Sequence, residues 1–390
     1  MISFDEAIRR LTEVARPLGR EPVALARAAG RVLAAPVVAM IDSPPADCSA
    51  MDGYAVREGD LPGALRLIGE SFAGGSFDGA LEPGTCVRIF TGAPLPAGAD
   101  RVVIQEQTVR EGDSVTIAEA PGTARYIRPR GSDFRTGDVV LEAGRRLDPR
   151  ALVAAAGADG GEIEVWRRPS VLVLGTGDEL VPPGEARHRP GAIPESVSPG
   201  VAALVEIWGG RCLGSRLIAD DLPTLAGAAG EALEEADLVV VTGGASVGEK
   251  DYAKAMFEPH GLEPIFSKVA IKPGKPVWLG RAGSTLVLGL PGNPTSAMVT
   301  ARLLLAPLVA GLAGRGGALE WRTLALSEPL PACGDRETFH RARLLQQGAA
   351  PLTNQDSSAQ KSLAEADLLL RSHPHDPPRP AGFEIEALDF

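Results

Sequence analysis

Lysine is nearly missing from this chain. Of 39 basic residues among 390, only six are Lys (Lys250, Lys254, Lys268, Lys272, Lys275 and Lys361); the rest are Arg. Aromatic residues are scarce at 4%, so the cores must be built from aliphatic side chains. The cysteines Cys48, Cys86, Cys212 and Cys333 form no CxxC pair. That excludes a disulfide framework and a thiolate zinc site, and it fits a reducing compartment. The few histidines show no metal-ligand spacing. No basic–apolar–small leader pattern opens the sequence. The most apolar stretch, 297–312, is short and interrupted by Arg302 and Pro307, which predicts a core helix rather than a membrane span. Together these gaps predict a cytoplasmic protein. The net charge of -11 argues against nucleic acid or an anionic membrane as a general partner. An anionic small molecule would need a local basic pocket.

Such a pocket is present in the sequence. Five of the six lysines fall between Thr242 and Lys275, in a segment to Ser296 with three Gly- and Pro-built loops: TGGASVG (242–248), IKPGKP (271–276) and LPGNPTS (290–296). Lys is a compact point charge, and Gly-rich loops let backbone N–H groups approach an anion closely. The combination predicts a site for phosphate or another oxyanion.

The pattern around this segment divides the chain. Ser3-Phe4-Asp5-Glu6 is a capping box, followed by the apolar face Ile8, Leu11, Val14, Ala15 and Leu18 of a helix ending near Gly19. A second helix is expected over 24–33. Short β-rich runs between turns (65–69, 86–90, 101–106, 114–119) predict an inserted β-domain over about 45–144. Asp148-Pro149 opens a further helix through Ala156, and a strand follows over 162–166. Within 170–312, apolar strands (171–175, 216–219, 238–242, 285–290) alternate with helices near 200–208, 223–235, 251–258 and 295–312. This predicts a doubly wound α/β domain around a parallel sheet, with ligands at the carboxyl ends of its strands. LGTGDEL (174–180), TGGASVG and LPGNP each end a strand and should share that rim. Residues 318–390 return to short β segments, a small barrel or sandwich. The fold class is thus multidomain α/β plus β: an N-terminal region (1–169, helical over about 1–44 and 145–169), the α/β domain (170–312) and a C-terminal β-domain.

Taken singly, each motif keeps a plain alternative. TGGASVG fits a tight strand-to-helix turn as well as an anion loop, and it has neither P-loop nor dinucleotide form. Ser246 is placed to donate to a phosphate or to cap a helix; Asp251 suits a metal or ordinary helix-dipole compensation. If SKVAIK is a strand, Lys268 and Lys272 share a face, where solvated edge lysines are the plain reading. Lys275 in the adjoining turn favours an anion. Asp178-Glu179 and Asp220-Asp221 suit Mg²⁺ or simple turn capping.

In order, SAMDGYAV (49–56), TGAPLP (91–96), LGTGDEL, TGGASVG with Asp251, KPGKP (272–276) and LPGNPTSA (290–297) resemble the molybdenum insertases. These are the molybdopterin molybdenumtransferases, whose family includes the E domain of gephyrin. The resemblance covers nearly the whole chain. It implies an elongated, four-part protomer that forms a homodimer with shared active sites. It implies transfer of molybdate into adenylylated molybdopterin with release of AMP, assisted by Mg²⁺. It also makes molybdopterin adenylyltransferase and molybdoenzymes expected protein partners.

By the same resemblance, Lys272, Lys275, Arg341 and Ser357 hold molybdate, with Pro276 shaping the turn. Gly243, Gly244 and Ser246 line the pterin-phosphate pocket with Lys268 nearby, and Ser196, Pro291 and Pro294 belong to the substrate side. Asp251 and Glu179 serve the metal or adenylate, with Asp220 close by; Asp52, Thr91 and Asp133 come from the partner subunit. The chain departs from the family pattern at Ala46, at Val197 and at Asp356, an acid beside the expected molybdate position. Two alternatives follow: a catalytically weakened paralogue acting as a dimeric scaffold or partner-binding module, and an adenylyltransferase. SAMDGYAV and the C-terminal β-domain oppose the second.

Overall fold

The computed structural model describes residues 1–120, 122–243 and 252–390. The chain forms two compact units, one of Met1–Glu21, Gly30–Ala34 and Val165–Phe390, the other of Pro22–Ala29 and Ala35–Glu164.

The first unit begins with helix α1 (Phe4–Val14), where the Ser3 hydroxyl accepts the Glu6 amide at 3.2 Å. Glu6 does not complete the capping box; its carboxylate accepts from Arg9 and Arg10 instead. The expected second helix over 24–33 is absent. Arg20–Ala24 is extended and only Leu25–Arg27 forms a 3₁₀ turn. Pro22 interrupts amide donation there, and the Leu25 amide is drawn to the Gly161 carbonyl at 3.0 Å rather than into a helix.

The second unit is built on six strands, β1 (Gly53–Val56), β2 (Gly63–Ser71), β3 (Thr85–Ile89), β4 (Arg101–Ile104), β5 (Val109–Glu111) and β6 (Ser114–Ile117), in the order β4-β1-β3-β2-β6-β5. Helix α2 (Pro149–Gly157) follows, its N-terminus capped by Asp148 on the Ala151 amide at 2.8 Å.

In the first unit, β7 (Ser170–Thr176), α3 (Val197–Ile207), β8 (Arg211–Ile218), α4 (Leu222–Glu235) and β9 (Leu238–Thr242) alternate as expected. Next come β10 (Glu263–Phe266), β11 (Ile271–Lys272), β12 (Trp278–Ala282), β13 (Thr285–Leu290) and helix α5 (Pro294–Leu312). The sheet order is β8-β7-β9-β13-β12-β10. Its first four strands are parallel and the last two antiparallel. Residues of β7, β9 and β13 alternate between two apolar clusters, Val171, Val173, Leu238 and Val240 on one face and Leu172, Leu174, Val239 and Val241 on the other. Burial on both faces explains their continuous aliphatic runs. Helix α5 is apolar and long enough to cross a membrane, yet 94% of it is buried. Its Arg302 donates to the Asp389 carbonyl at 2.6 Å and lies 4.8 Å from the Trp208 ring centroid.

The C-terminal segment adds β14 (Arg322–Ala325), β15 (Glu337–Leu345), β16 (Gly348–Pro351), α6 (Gln360–Ala364), β17 (Leu368–Ser372) and β18 (Glu384–Asp389). They form one curled sheet, β11-β15-β17-β18-β14, with β16 on β15. One face encloses Leu326, Ala342, Leu368, Leu370 and Ala387. The other sends Phe339, Leu369 and Leu388 into the α/β core together with Phe4, Ala7 and Leu11 of α1. Helix α1 packs with the α/β body because its apolar stripe is buried there, while the long segment of that unit begins at Val165, close to the boundary expected at 169.

Candidate active site

Strand register builds the rim. Gly175, Thr242 and Leu290 occupy one row across β7, β9 and β13, and Leu217 of β8 pairs with Gly175. The chain therefore leaves the sheet at neighbouring points through Thr176, Gly243 and Pro291. Gly243 has φ +90°, and a Cβ there would stand 2.3 Å from the Thr176 carbonyl oxygen, so only glycine fits. Three side-chain hydroxyls near this edge, those of Thr176, Ser198 and Thr295, are buried without a hydrogen-bond partner among the described residues. Buried hydroxyls normally find partners, so these three are open to a further polar contact.

Acids stand along the same rim. Glu179 is exposed and folds its carboxylate back over Gly177, while Asp178 accepts the Asp220 amide at 3.0 Å. Glu195, buried before α3, accepts the amides of Val197 and Ser198 at 3.0 and 2.9 Å, and so compensates the helix start.

The lysine turn projects from β11, which pairs with β15 of the C-terminal sheet, Lys272 opposite Thr338. SKVAIK is not one strand: it contains only the two residues of β11, and Val269 makes an isolated bridge to Ile2. The alternation still survives in burial, with Val269 and Ile271 inside and Lys268 and Lys272 exposed. Lys275 is exposed too, and Pro276 is half-buried. Gly274 (φ +110°) seats the turn on α5, where a Cβ would approach Thr300 Cγ2 to 2.1 Å. His340 lies two residues beyond Thr338 and hence on the Lys272 face. Burial, and then the Lys272 charge, push its imidazole down to about 4.

From the C-terminal side, the 354–359 loop closes on the start of α5. The Asn293 amide donates to Ser357 Oγ at 3.1 Å, and the Thr295 amide donates to the Ser357 carbonyl at 3.2 Å. Gln360 Nε2 donates to Ser196 Oγ at 3.2 Å.

A family model described as the MoeA N-terminal region (domain I and II) matches residues 2–158, and one described as a probable molybdopterin binding domain matches residues 172–311. A molybdopterin molybdenumtransferase of Haemophilus influenzae is 40% identical over 319 residues, covering 81% of this chain and 78% of its own length. One from Synechococcus elongatus is 35% identical over 380 residues, 94% of each chain. The chain belongs to the molybdopterin molybdenumtransferase family. The crystal structure of a molybdopterin biosynthesis MoeA protein from Pyrococcus horikoshii superposes with a TM-score of 0.85 at 26% identity, covering 100% of both chains.

As a molybdopterin molybdenumtransferase, the chain brings Lys272, Lys275, Pro276, Gly243, Pro291, Pro294, Ser196 and Ser357 onto elements of the α/β and C-terminal sheets. Gly244, Ser246 and Asp251 lie outside the described residues. Arg341 is buried against the loop that carries Ser357. It is 1% exposed, and its guanidinium donates to the carbonyls of Asn354, Asp356 and Ala359 at 3.2, 3.0 and 3.4 Å. It ties down the loop that carries Ser357.

In the second unit, Asp52 accepts the Thr91 amide and hydroxyl, both at 2.7 Å. These bonds, with Arg88 near, hold its carboxyl below the usual range. Asp133 is exposed in a turn whose amide donates to Ser43 at 3.0 Å.

Among the described residues no group of three His, Cys, Asp or Glu side chains gathers. Mg²⁺ shared with a substrate phosphate needs only one or two carboxylates, the rest coming from phosphate and water. The exposed Glu179 fits that donor set. Sequence reasoning gave no roles to Asn293, Thr295 and Thr176 although all stand inside quoted motifs. Gln360 carried no sequence signal.

Proposed function

We infer that this chain is a molybdenum insertase: it transfers molybdenum from molybdate into adenylylated molybdopterin and releases AMP. The carrying observation is the 35% identity across 94% of both chains to a molybdopterin molybdenumtransferase, over parallel strands whose ends, Gly175, Thr242 and Leu290, stand in one row. The scaffold alternative has no support. Of the departures that raised it, Val197 is an ordinary buried residue at the start of α3, and Asp356 bonds within its own loop. The adenylyltransferase alternative is opposed by the family match over residues 2–158.

The exposed Lys272 and Lys275 bind and orient the molybdate oxyanion, with Ser357 Oγ beside them. Gly243 and the buried hydroxyls of Thr176, Ser198 and Thr295 receive polar groups of the pterin phosphate, and Lys268 adds positive charge nearby. Glu179, with Asp251, would hold Mg²⁺, whose charge would offset that of the phosphoanhydride. Asp220, whose amide donates to Asp178 next to Glu179, is close to that carboxylate in the chain's fold. Most of the rate enhancement then comes from positioning and from fixed charge.

The site is completed in a homodimer, with Asp52, Thr91 and Asp133 supplied by the partner subunit; the ionised, hydrogen-bonded Asp52 supports that role. Molybdopterin adenylyltransferase upstream and molybdoenzymes downstream are the expected protein partners. The free state of all four cysteines supports a cytoplasmic location.

Purified protein given adenylylated molybdopterin, Mg²⁺ and molybdate should release AMP and yield active cofactor. Lys275→Ala should raise the molybdate concentration needed for half-maximal AMP release about tenfold, the effect of losing one charge-assisted contact, while pterin binding persists. Pterin binding without AMP release at any molybdate level would reject the activity. Equal loss of both ligands in the variant would reject the role of Lys275.

A further inference from the structure

The 354–359 loop is held by an unusual density of its own polar contacts. Asn354 Oδ1 accepts the Asp356 amide at 2.9 Å, and Asp356 Oδ1 in turn accepts both the amide and the hydroxyl of Ser358 at 2.8 Å. Arg341 ties down three carbonyls of the same loop. Gln355 brackets the Arg341 backbone, accepting its amide at 3.0 Å and donating to its carbonyl at 2.9 Å. Ser362 Oγ donates to the Asn354 carbonyl at 2.7 Å. This framework holds the half-buried Ser357 inward, docked on Asn293 and Thr295 at the start of α5.

An acid at position 356 beside an oxyanion site would ordinarily repel the ligand. Here the carboxylate is turned onto Ser358, and the Arg341 guanidinium sits behind the same peptide, so the charge is locally offset. We propose that Asp356 is a positioning residue for the oxyanion site: its carboxylate holds the loop in the shape that sets Ser357 against the start of α5. The proposal rests on the reading that Lys272, Lys275 and Ser357 receive molybdate.

The two roles of Asp356 predict opposite results. As a positioning residue, Asp356→Ala raises the half-saturating molybdate concentration about tenfold, the usual effect of losing a charge-assisted hydrogen bond, with kcat changed less than about twofold. Asp356→Asn, which keeps an oxygen for Ser358 and removes the charge, stays near the parent value. Amide exchange followed by mass spectrometry should be faster in Asp356→Ala for peptides covering 290–300 and 352–362, and unchanged in Asp356→Asn. A lower molybdate requirement in both variants would overturn the proposal in favour of repulsion, and unchanged exchange in Asp356→Ala would overturn it as well. If Ser357→Ala and Lys275→Ala leave the molybdate requirement unaltered, the molybdate reading fails, and amide exchange alone then decides whether Asp356 shapes the loop.

Discussion

His340 shows how one buried side chain ties stability to pH. It is 8% exposed, its Nε2 atom has no hydrogen-bond partner among the described residues, and burial pushes its pKa down from 6.5 to about 4. The folded chain therefore binds the proton more weakly than the unfolded chain does. Its contribution is complete above pH 6.5 and is lost as pH falls towards 4, a change on the order of 3 kcal/mol. We expect His340→Leu to flatten the difference in denaturant stability between pH 6.5 and 4, measured against the parent protein. Parallel pH profiles would show that the imidazole is not responsible. At this scale the sequence was a partial guide. Lys272 and Lys275 stood out because lysine is rare, whereas the bonds of the buried Arg341 to three loop carbonyls carried no sequence signal.

At the scale of elements, the joint between the α/β body and the C-terminal sheet depends on β11 and on a small aromatic group. Phe339 is 1% exposed; its ring lies 4.9 Å from Phe4 in an edge arrangement and 6.2 Å from Trp321 in a stacked one. In a chain poor in aromatics these contacts are hard to replace. Phe339→Ala should lower unfolding stability by about 3–5 kcal/mol, a transfer loss plus a cavity. A loss below about 1 kcal/mol would mean that the joint is held elsewhere. The parallel strands β7, β9 and β13 were legible as aliphatic runs. The antiparallel β10 and β12 were not, because Pro264 and the alternation of Gly and Arg in WLGRA disguise them. The helix expected over 24–33 failed for a related reason: a pattern of apolar residues says nothing of the carbonyl that captures the Leu25 amide.

For the whole molecule, the central prediction concerns how the site is completed. If Asp52 of one protomer serves the lysine turn of another, then at molybdate concentrations limiting for the parent Asp52→Ala and Lys275→Ala are each strongly impaired alone, but a mixed dimer carries one intact site. Mixing the two variants after reversible dissociation should restore AMP release to about a quarter of the parent rate, the share expected from random pairing in a symmetric dimer. No recovery in mixtures shown to contain heterodimers would place Asp52 and Lys275 in the same protomer's chemistry or outside it.

The sequence by itself determined the class of the molecule: a lysine-poor acidic chain with one basic segment, alternating strands and helices through 170–312, and the ordered loops that identify the family. Those properties are local, set by residue type, spacing and turn chemistry, and survive translation into structure without knowledge of neighbours. Only the tertiary structure decided that α1 packs with the α/β body, that Arg341 bonds the carbonyls of the 354–359 loop, and that Asp356 turns its charge onto Ser358. Each of these depends on which distant groups claim a side chain's burial or hydrogen bonds, and spacing along the chain does not carry that information.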